Sequence, residues 1–317
     1  MQIIPGLPVL WREVDQIQIG YDPRTGVILS GLAPHELEFV DSLSRPQSDL
    51  ELAHRARQLH LSQPRVRDIV AMLDKAQVIT TSQVGSPDVA SSLRVRGHAP
   101  QYRSTAHVRF ARGDYVSVVA ALILADAGVG IITCRDNASV QETDHPQMAE
   151  SYTGIPRHLA LTHVLRARGM MNDEVIPPTV AVETGPYVIN PVNGNHWLSA
   201  GIPVVHACIE EVDVVVGPTT IPHESACASC MYLHYADADP FWNRLAMQAF
   251  GRTDVLADIA SMELAGAHIA REVLALIDRL SPSLTNRIVR IGPTPATPQL
   301  FEVPPHLSCG CSAAGSD

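Results

Sequence analysis

Six cysteines occur in the 317 residues, and their spacing sorts them into two kinds. Cys227-Ala-Ser-Cys230 is a CxxC, and Cys309-Gly-Cys311 is a CxC. A CxxC turn brings two thiolates onto one ion, with zinc lying about 2.3 Å from each sulfur. The second pair supplies the other two corners of a tetrahedron, and Gly310 permits the tight backbone between them. Cys227, Cys230, Cys309 and Cys311 are therefore the candidate ligands of one structural zinc. The pairs lie far apart in sequence, so the ion would fasten the tail to the core. That tail carries Pro293, Pro295, Pro298, Pro304 and Pro305 and little apolar content to hold it otherwise. Reduced unpaired thiols, or a redox CxxC, are the competing readings. A redox pair leaves Cys309 and Cys311 unexplained. Cys134 and Cys208 sit inside apolar runs and read as core thiols.

Other side chains offer weaker chemistry. His206, His223 and His234 flank the CxxC, but a histidine in such a place is more often packed than ligating. Ser225 has no nucleophile-elbow context, since GxSxG does not occur. Asp237 and Asp239 precede Pro240 and read as helix-capping acids.

These residues need elements to position them. Over residues 1–80, Gln16-Ile-Gln-Ile-Gly alternates polar and apolar side chains, as a half-buried strand does. Asp22-Pro-Arg-Thr-Gly26 has turn chemistry, and Val27-Ile-Leu completes a hairpin. Three short helices follow, opened by Pro34, by Ser48 or Asp49, and by Ser62 with Pro64 just inside. Val78-Ile79 returns as a strand. Residues 81–104 are rich in Ser, Gly, Pro and Thr and are expected to be a linker. From 105 to 317 strands and helices alternate. His107-Val-Arg-Phe, a helix from Tyr115 to Ala127, and Gly130-Ile-Ile-Thr-Cys134 make a βαβ unit, which implies a parallel-rich, Rossmann-like sheet. Pro203 to Ile209 and Val212 to Val216 are later strands. Leu256 to Leu280 is a helical stretch expected to break at Gly266.

Bulk properties narrow the function. Hydrophobic residues make up 46% and charged residues 18%, so the chain can bury a substantial core. Net charge is −10 with pI near 5.7, which disfavours bulk attraction to nucleic acid or an anionic membrane. Residues 1–80 hold eight basic against ten acidic side chains, which argues against a DNA-reading winged helix. No apolar run reaches the roughly 18 residues of a membrane span. The first residues lack the features of a secretory signal, so a cytoplasmic, thiol-reducing location is expected.

Around the CxxC the sequence resembles a known family. Gly217-Pro218, then Cys227-Ala-Ser-Cys230, Leu233-His234 and Asp239-Pro-Phe-Trp242 resemble the E1-like (ThiF-like) proteins of azole-peptide biosynthesis. Ala127-Gly-Val-Gly130, the following strand and Asp136 resemble the first βαβ of that fold, and the terminal Cys-Gly-Cys matches as well. The hairpin and three helices resemble the winged-helix element that recognises leader peptides there. Residues 141–195 match nothing in the pattern. The resemblance implies a precursor or leader peptide as partner, a YcaO-type cyclodehydratase as the catalytic companion, and a homodimer.

An activating E1 enzyme also needs a phosphate-binding turn. Here the turn reads Phe110-Ala-Arg-Gly-Asp-Tyr-Val, and only Gly113 remains of the glycine pattern. Asp114 puts a negative charge where phosphate would sit. The single lysine, Lys75, lies in the first unit, which leaves Arg157, Arg166 and Arg168 as the cations on offer. Asp136 stands where a ribose-binding acid belongs, and Asp213 reads as structural. Gly113 and Asp136 are thus a vestigial nucleotide site, and ATP is not expected as a cofactor. The expected function is a non-catalytic scaffold that binds a peptide between Ile17, Ile19, Val27 and Leu29 of the hairpin and Val66 and Ile69 of the third helix. An ATP-dependent ThiF-type adenylyltransferase and a winged-helix transcription regulator are the alternatives.

Overall fold

Asp22 accepts the backbone amides of Thr25 and Gly26 and, through its side chain, that of Arg24. The chain therefore reverses where its turn residues predict. In this computed structural model residues 1–170, 176–294 and 297–311 are described; Pro295 of the proline-rich tail lies outside them. The chain forms two units, Met1–Pro100 and Gln101–Asp317.

The first unit contains β1 (Gln2–Ile3), β2 (Val9–Glu13), β3 (Gln16–Ile19), β4 (Val27–Ser30), α1 (Pro34–Ser42), α2 (Asp49–Gln58), α3 (Gln63–Lys75), β5 (Ile79–Thr80) and α4 (Pro87–Arg96). Strands β2, β3 and β4 form an antiparallel sheet in that order, and β1 pairs with β5. Ser48 and Ser62 cap α2 and α3 as expected, each accepting an amide three residues on. Glu36 at the start of α1 accepts the Ala33 amide and is clasped by Arg65 at 2.6 Å. That pair pins α3 to α1 over a core that includes Leu37, Phe39 and Leu73.

Two expectations fail here. Residues 81–104 are not a plain linker, because 87–96 form α4. Ser86 caps its start, Pro87 opens it, and Gly97 ends it at φ +77°. Its serines and weak apolar stripe hide it from periodicity. The groove expected to hold a peptide is also largely closed. Ile17, Ile19 and Ile69 are fully buried and Leu29 nearly so; Val27 and Val66 are half-buried against the same core. These side chains hold the unit together. The apolar groups the sheet exposes are Leu10, Trp11 and Ile28.

The second unit contains β6 (His107–Phe110), α5 (Tyr115–Asp126), β7 (Ile131–Cys134), α6 (Pro146–Tyr152), α7 (Arg157–Arg166), β8 (Val180–Pro186), α8 (Pro191–Ser199), β9 (Val204–Glu210), β10 (Asp213–Thr220), α9 (Ala228–Ala238), α10 (Trp242–Ala249), α11 (Ile259–Ile277), β11 (Arg287–Ile291) and β12 (Gln299–Glu302). They build a seven-stranded sheet in the order β12-β11-β10-β9-β8-β6-β7. The pairs β7–β6, β6–β8 and β8–β9 are parallel, and β10, β11 and β12 add antiparallel. The βαβ unit read from sequence is β6-α5-β7. The unmatched stretch 141–195 supplies α6, α7, β8 and the start of α8. Helix α5 is apolar nearly all round because the sheet, α11 and α7 all pack against it. Gly266 does not break α11. It lets Val119 of α5 approach, since a Cβ there would lie 2.5 Å from the Val119 Cβ. Among the described residues, no helix is long and apolar enough to cross a membrane.

Candidate functional site

Chain order reverses at β6, which has β7 on one side and β8 on the other. In such sheets the crevice beyond the carboxyl ends of these strands is where a nucleotide would lie. Gly113, Asp114, Asp136 and Thr184 all gather there. The fold brings Gly113 and Asp136 together: the Gly113 amide donates to the Asp136 carboxylate at 3.0 Å.

Most polar groups of this crevice are spent on one another; the buried Arg112 Nε, 3.6 Å from Asp114, has no hydrogen-bond partner among the described residues. Asp114 caps α5, accepting the Ser117 amide at 3.2 Å, and its second oxygen accepts the Thr184 hydroxyl at 2.8 Å. The helix N-terminus that would hold a phosphate therefore already holds a carboxylate. Of the three arginines on offer, Arg157 reaches the crevice. It forks onto Asp144 at 2.7 and 2.8 Å and stands 3.4 Å from Asp136. Burial works against the charge of Arg157, but Asp144, Asp136 and Asp114 outweigh it and hold the guanidinium firmly protonated. Arg168 pairs with Asp126 and Gln147 instead, and Arg166 ends α7. Asp144 was not among the residues singled out from sequence; its place before the His145-Pro146 helix start is the only local signal. Asp213 forms an ion pair with Arg290 at 3.2 Å, a structural role as expected.

The second site is sulfurous. Cys227 precedes α9, Cys230 lies in its first turn, and the tail brings Cys309 and Cys311 against them. The Cys227–Cys309 sulfurs are 3.6 Å apart, Cys230–Cys311 3.3 Å and Cys227–Cys230 3.9 Å. All four lie within 4.8 Å of one another. A disulfide requires about 2.05 Å, whereas four thiolates on one ion sit about 3.8 Å apart, the edge of a tetrahedron of 2.3 Å bonds. The group fits a metal ion. Burial pushes the Cys227 thiol up to about 11, opposed in part by a hydrogen bond from the Cys230 backbone, and burial likewise raises Cys311. Burial opposes ionisation of Cys230 too, but hydrogen bonds from the His306 and Cys227 backbones and from the Cys311 and Cys309 side chains bring it below the ordinary value. A thiol cluster of this kind ionises fully only when a cation displaces its protons.

The remaining candidates disperse. Cys134 and Cys208 are buried strand thiols, pushed up by burial. His206 is enclosed in β9, with Nδ1 3.0 Å from the Pro218 carbonyl oxygen. Asp239 caps the chain before α10, accepting the Phe241 amide. Asp237 lies inside α9 and pairs with His306 rather than capping. His223 and Ser225 border a cavity of about 900 Å³ whose lining includes Leu198, Tyr232, Trp242 and Phe250 as well as Cys309 and Cys311. The sequence offered no sign of this cavity beyond the aromatic pair after Pro240.

Neither a family model nor a curated protein sequence matches this chain. Solved structures do. Escherichia coli MccB crystallised with selenomethionine MccA superposes at TM-score 0.69 and 14% identity, over 98% of this chain and 99% of that one. MccB with ATP matches at 0.66 and 14%, again over 98% and 99%. PaaA matches at 0.66 and 11%, over 94% of this chain and 98% of that one. The chain has the fold of MccB. The likeness extends over both units and almost the full length of each neighbour. Another MccB structure is described as a microcin C7 biosynthetic enzyme in complex with N-formylated MccA.

Proposed function

We propose that this E1-like chain binds a precursor peptide for modification and acts there as a scaffold with a closed nucleotide site. The observation that carries the second half is the crevice itself. Asp114 occupies the α5 N-terminus, and Arg157 is neutralised by Asp136 and Asp144. An incoming triphosphate would meet a carboxylate, and would have to break two ion pairs to recruit Arg157 and draw Arg112 away from Asp114. The peptide half rests on fold likeness to MccB, whose structures include the MccA peptide, and on the first unit. Its three-stranded sheet and helices α1–α3 would serve as a winged-helix-like peptide-binding element. Strand β4 has β3 on one side and no strand on the other among the described residues. A peptide would add there as a strand, with Ile28 and the half-buried Val27 and Val66 beside it. A zinc ion on the four cysteines would tie the tail to α9. A YcaO-type partner would do the chemistry, and two copies would pair through the second unit.

The alternative is ATP-dependent adenylation, favoured by the Gly113–Asp136 contact at the switch point and by the ATP complex of MccB. Isothermal titration with Mg-ATP tests between them. Absence of heat at millimolar nucleotide is expected. Saturable binding followed by pyrophosphate exchange would sink the scaffold reading.

A further inference from the structure

We propose that His234, Asp237 and His306 form a second divalent transition-metal site beside the four cysteines. Cys230, His234 and Asp237 recur at four- and three-residue steps along α9, so they share one face. The tail lies along that face. Cys311 meets Cys230, the Pro304 carbonyl meets His234 Nε2 at 2.9 Å, and His306 Nε2 meets the Asp237 carboxylate at 2.9 Å. One donor atom from each of His234, Asp237 and His306 falls within 4.8 Å of the others. The two imidazoles stand edge to face, 4.9 Å between centroids. Two imidazole nitrogens and one carboxylate suit zinc, cobalt or nickel rather than calcium or magnesium.

The shelter is uneven in a way that suits an exchangeable ion. The His306 side chain is 12% exposed, while that of Asp237 is 70% exposed and leaves an entry path. Three protein ligands leave one tetrahedral position open, unlike the closed cysteine set. His234 must give up the Pro304 carbonyl or offer its other ring nitrogen, so this ion binds more weakly than one on four thiolates. The His306 backbone N–H also bonds the Cys230 sulfur, which joins the two groups through one tail residue. The second ion would staple the tail to the far end of α9, where the cysteines hold the near end.

Metal content of the full-length chain, equilibrated with zinc and desalted, tests this by mass spectrometry. Two zinc per chain are expected, falling to one in Asp237→Asn and in His234→Gln. Neither substitution removes a cysteine ligand, and thermal melting checks that each variant is folded. With cobalt(II), the first equivalent should give sulfur-to-metal charge transfer, and the second only weak visible bands that either variant abolishes. One equivalent in the wild type with full charge transfer overturns the proposal, as does a second equivalent that both variants retain. A single equivalent without charge transfer, lost in Asp237→Asn, would support this site while removing the one on the cysteines.

Discussion

The Gly113 amide and the Asp136 carboxylate, 23 residues apart, meet at 3.0 Å beyond the ends of β6 and β7. In a working nucleotide site both groups would be needed by the ligand. Here they satisfy each other, and Arg157 closes over them. A Cβ on Gly113 would already be 3.0 Å from the Arg157 Cβ, so the guanidinium stem occupies the space above the turn.

Arg157 is accordingly a structural cation, and its loss should be expensive. Arg157→Met leaves Asp136 and Asp144 buried with no countercharge. Breaking a buried pair on one side costs about 3–5 kcal/mol. Urea denaturation should show a loss of that order, and Asp144→Asn should recover part of it in the Arg157→Met background. A loss under about 1 kcal/mol, the range of exposed pairs, would mean that the network is not holding the crevice closed.

His206 gives the fold an acid sensitivity. Burial lowers its pKa from 6.5 to about 4, only partly offset by the Pro218 carbonyl. As pH falls, the unfolded chain takes up the proton first, so native stability declines from the unfolded pKa down to the folded one. The full effect is roughly 3 kcal/mol, from about 1.4 kcal/mol per pKa unit. His206→Asn keeps a donor for Pro218 and removes the titration. The difference in stability between wild type and His206→Asn should therefore change by about that amount between pH 7 and pH 4. Burial raises the Glu183 pKa on the neighbouring strand and gives a slope of opposite sign, which the difference cancels. Parallel pH profiles would contradict this.

Gly266 and Val119 make a third test. Alanine is the better helix former by about 1 kcal/mol, so propensity alone predicts that Gly266→Ala stabilises α11. The contact predicts the reverse, because the new methyl would collide with the Val119 Cβ at 2.5 Å. A net loss of about 1–3 kcal/mol is expected for such overpacking. Val119→Ala should relieve it, and thermal melting of the double-mutant cycle reads the coupling. A stabilised single variant would show that the helices separate freely.

Local chemistry explains how far the sequence could be read. Ser48, Ser62 and Pro34 mark helix starts because capping depends on neighbours three residues away. The cysteine spacings pointed to one cluster because the ligands are scarce and reduced thiols seldom gather without cause. Gly266 was misread for the opposite reason: its role is set by Val119, 147 positions earlier in the chain. Ile17, Ile19 and Ile69 show the same limit. Alternation identifies the apolar face of a strand but not whether a ligand or the protein's own core covers it. Asp144 had no local pattern at all; only the fold puts it on Arg157.

The cysteine cluster yields the last prediction. If one ion holds Cys227, Cys230, Cys309 and Cys311, its binding energy contributes directly to the order of the tail, because the ligands come from α9 and from residues 309–311. Cys309→Ser should then lose the tightly held zinc and expose the tail to protease, while the sheet core stays folded. Edge strand β12 is the element to watch, since among the described residues it pairs with β11 alone and it is followed directly by the proline-rich approach to Cys309. Hydrogen exchange should rise over 299–311 in Cys309→Ser and in chelator-treated wild type by similar amounts. If chelation leaves exchange there unchanged, packing of Val303 and the hydrogen bonds of His306 and Pro304 suffice to hold the tail, and the metal is not what secures it.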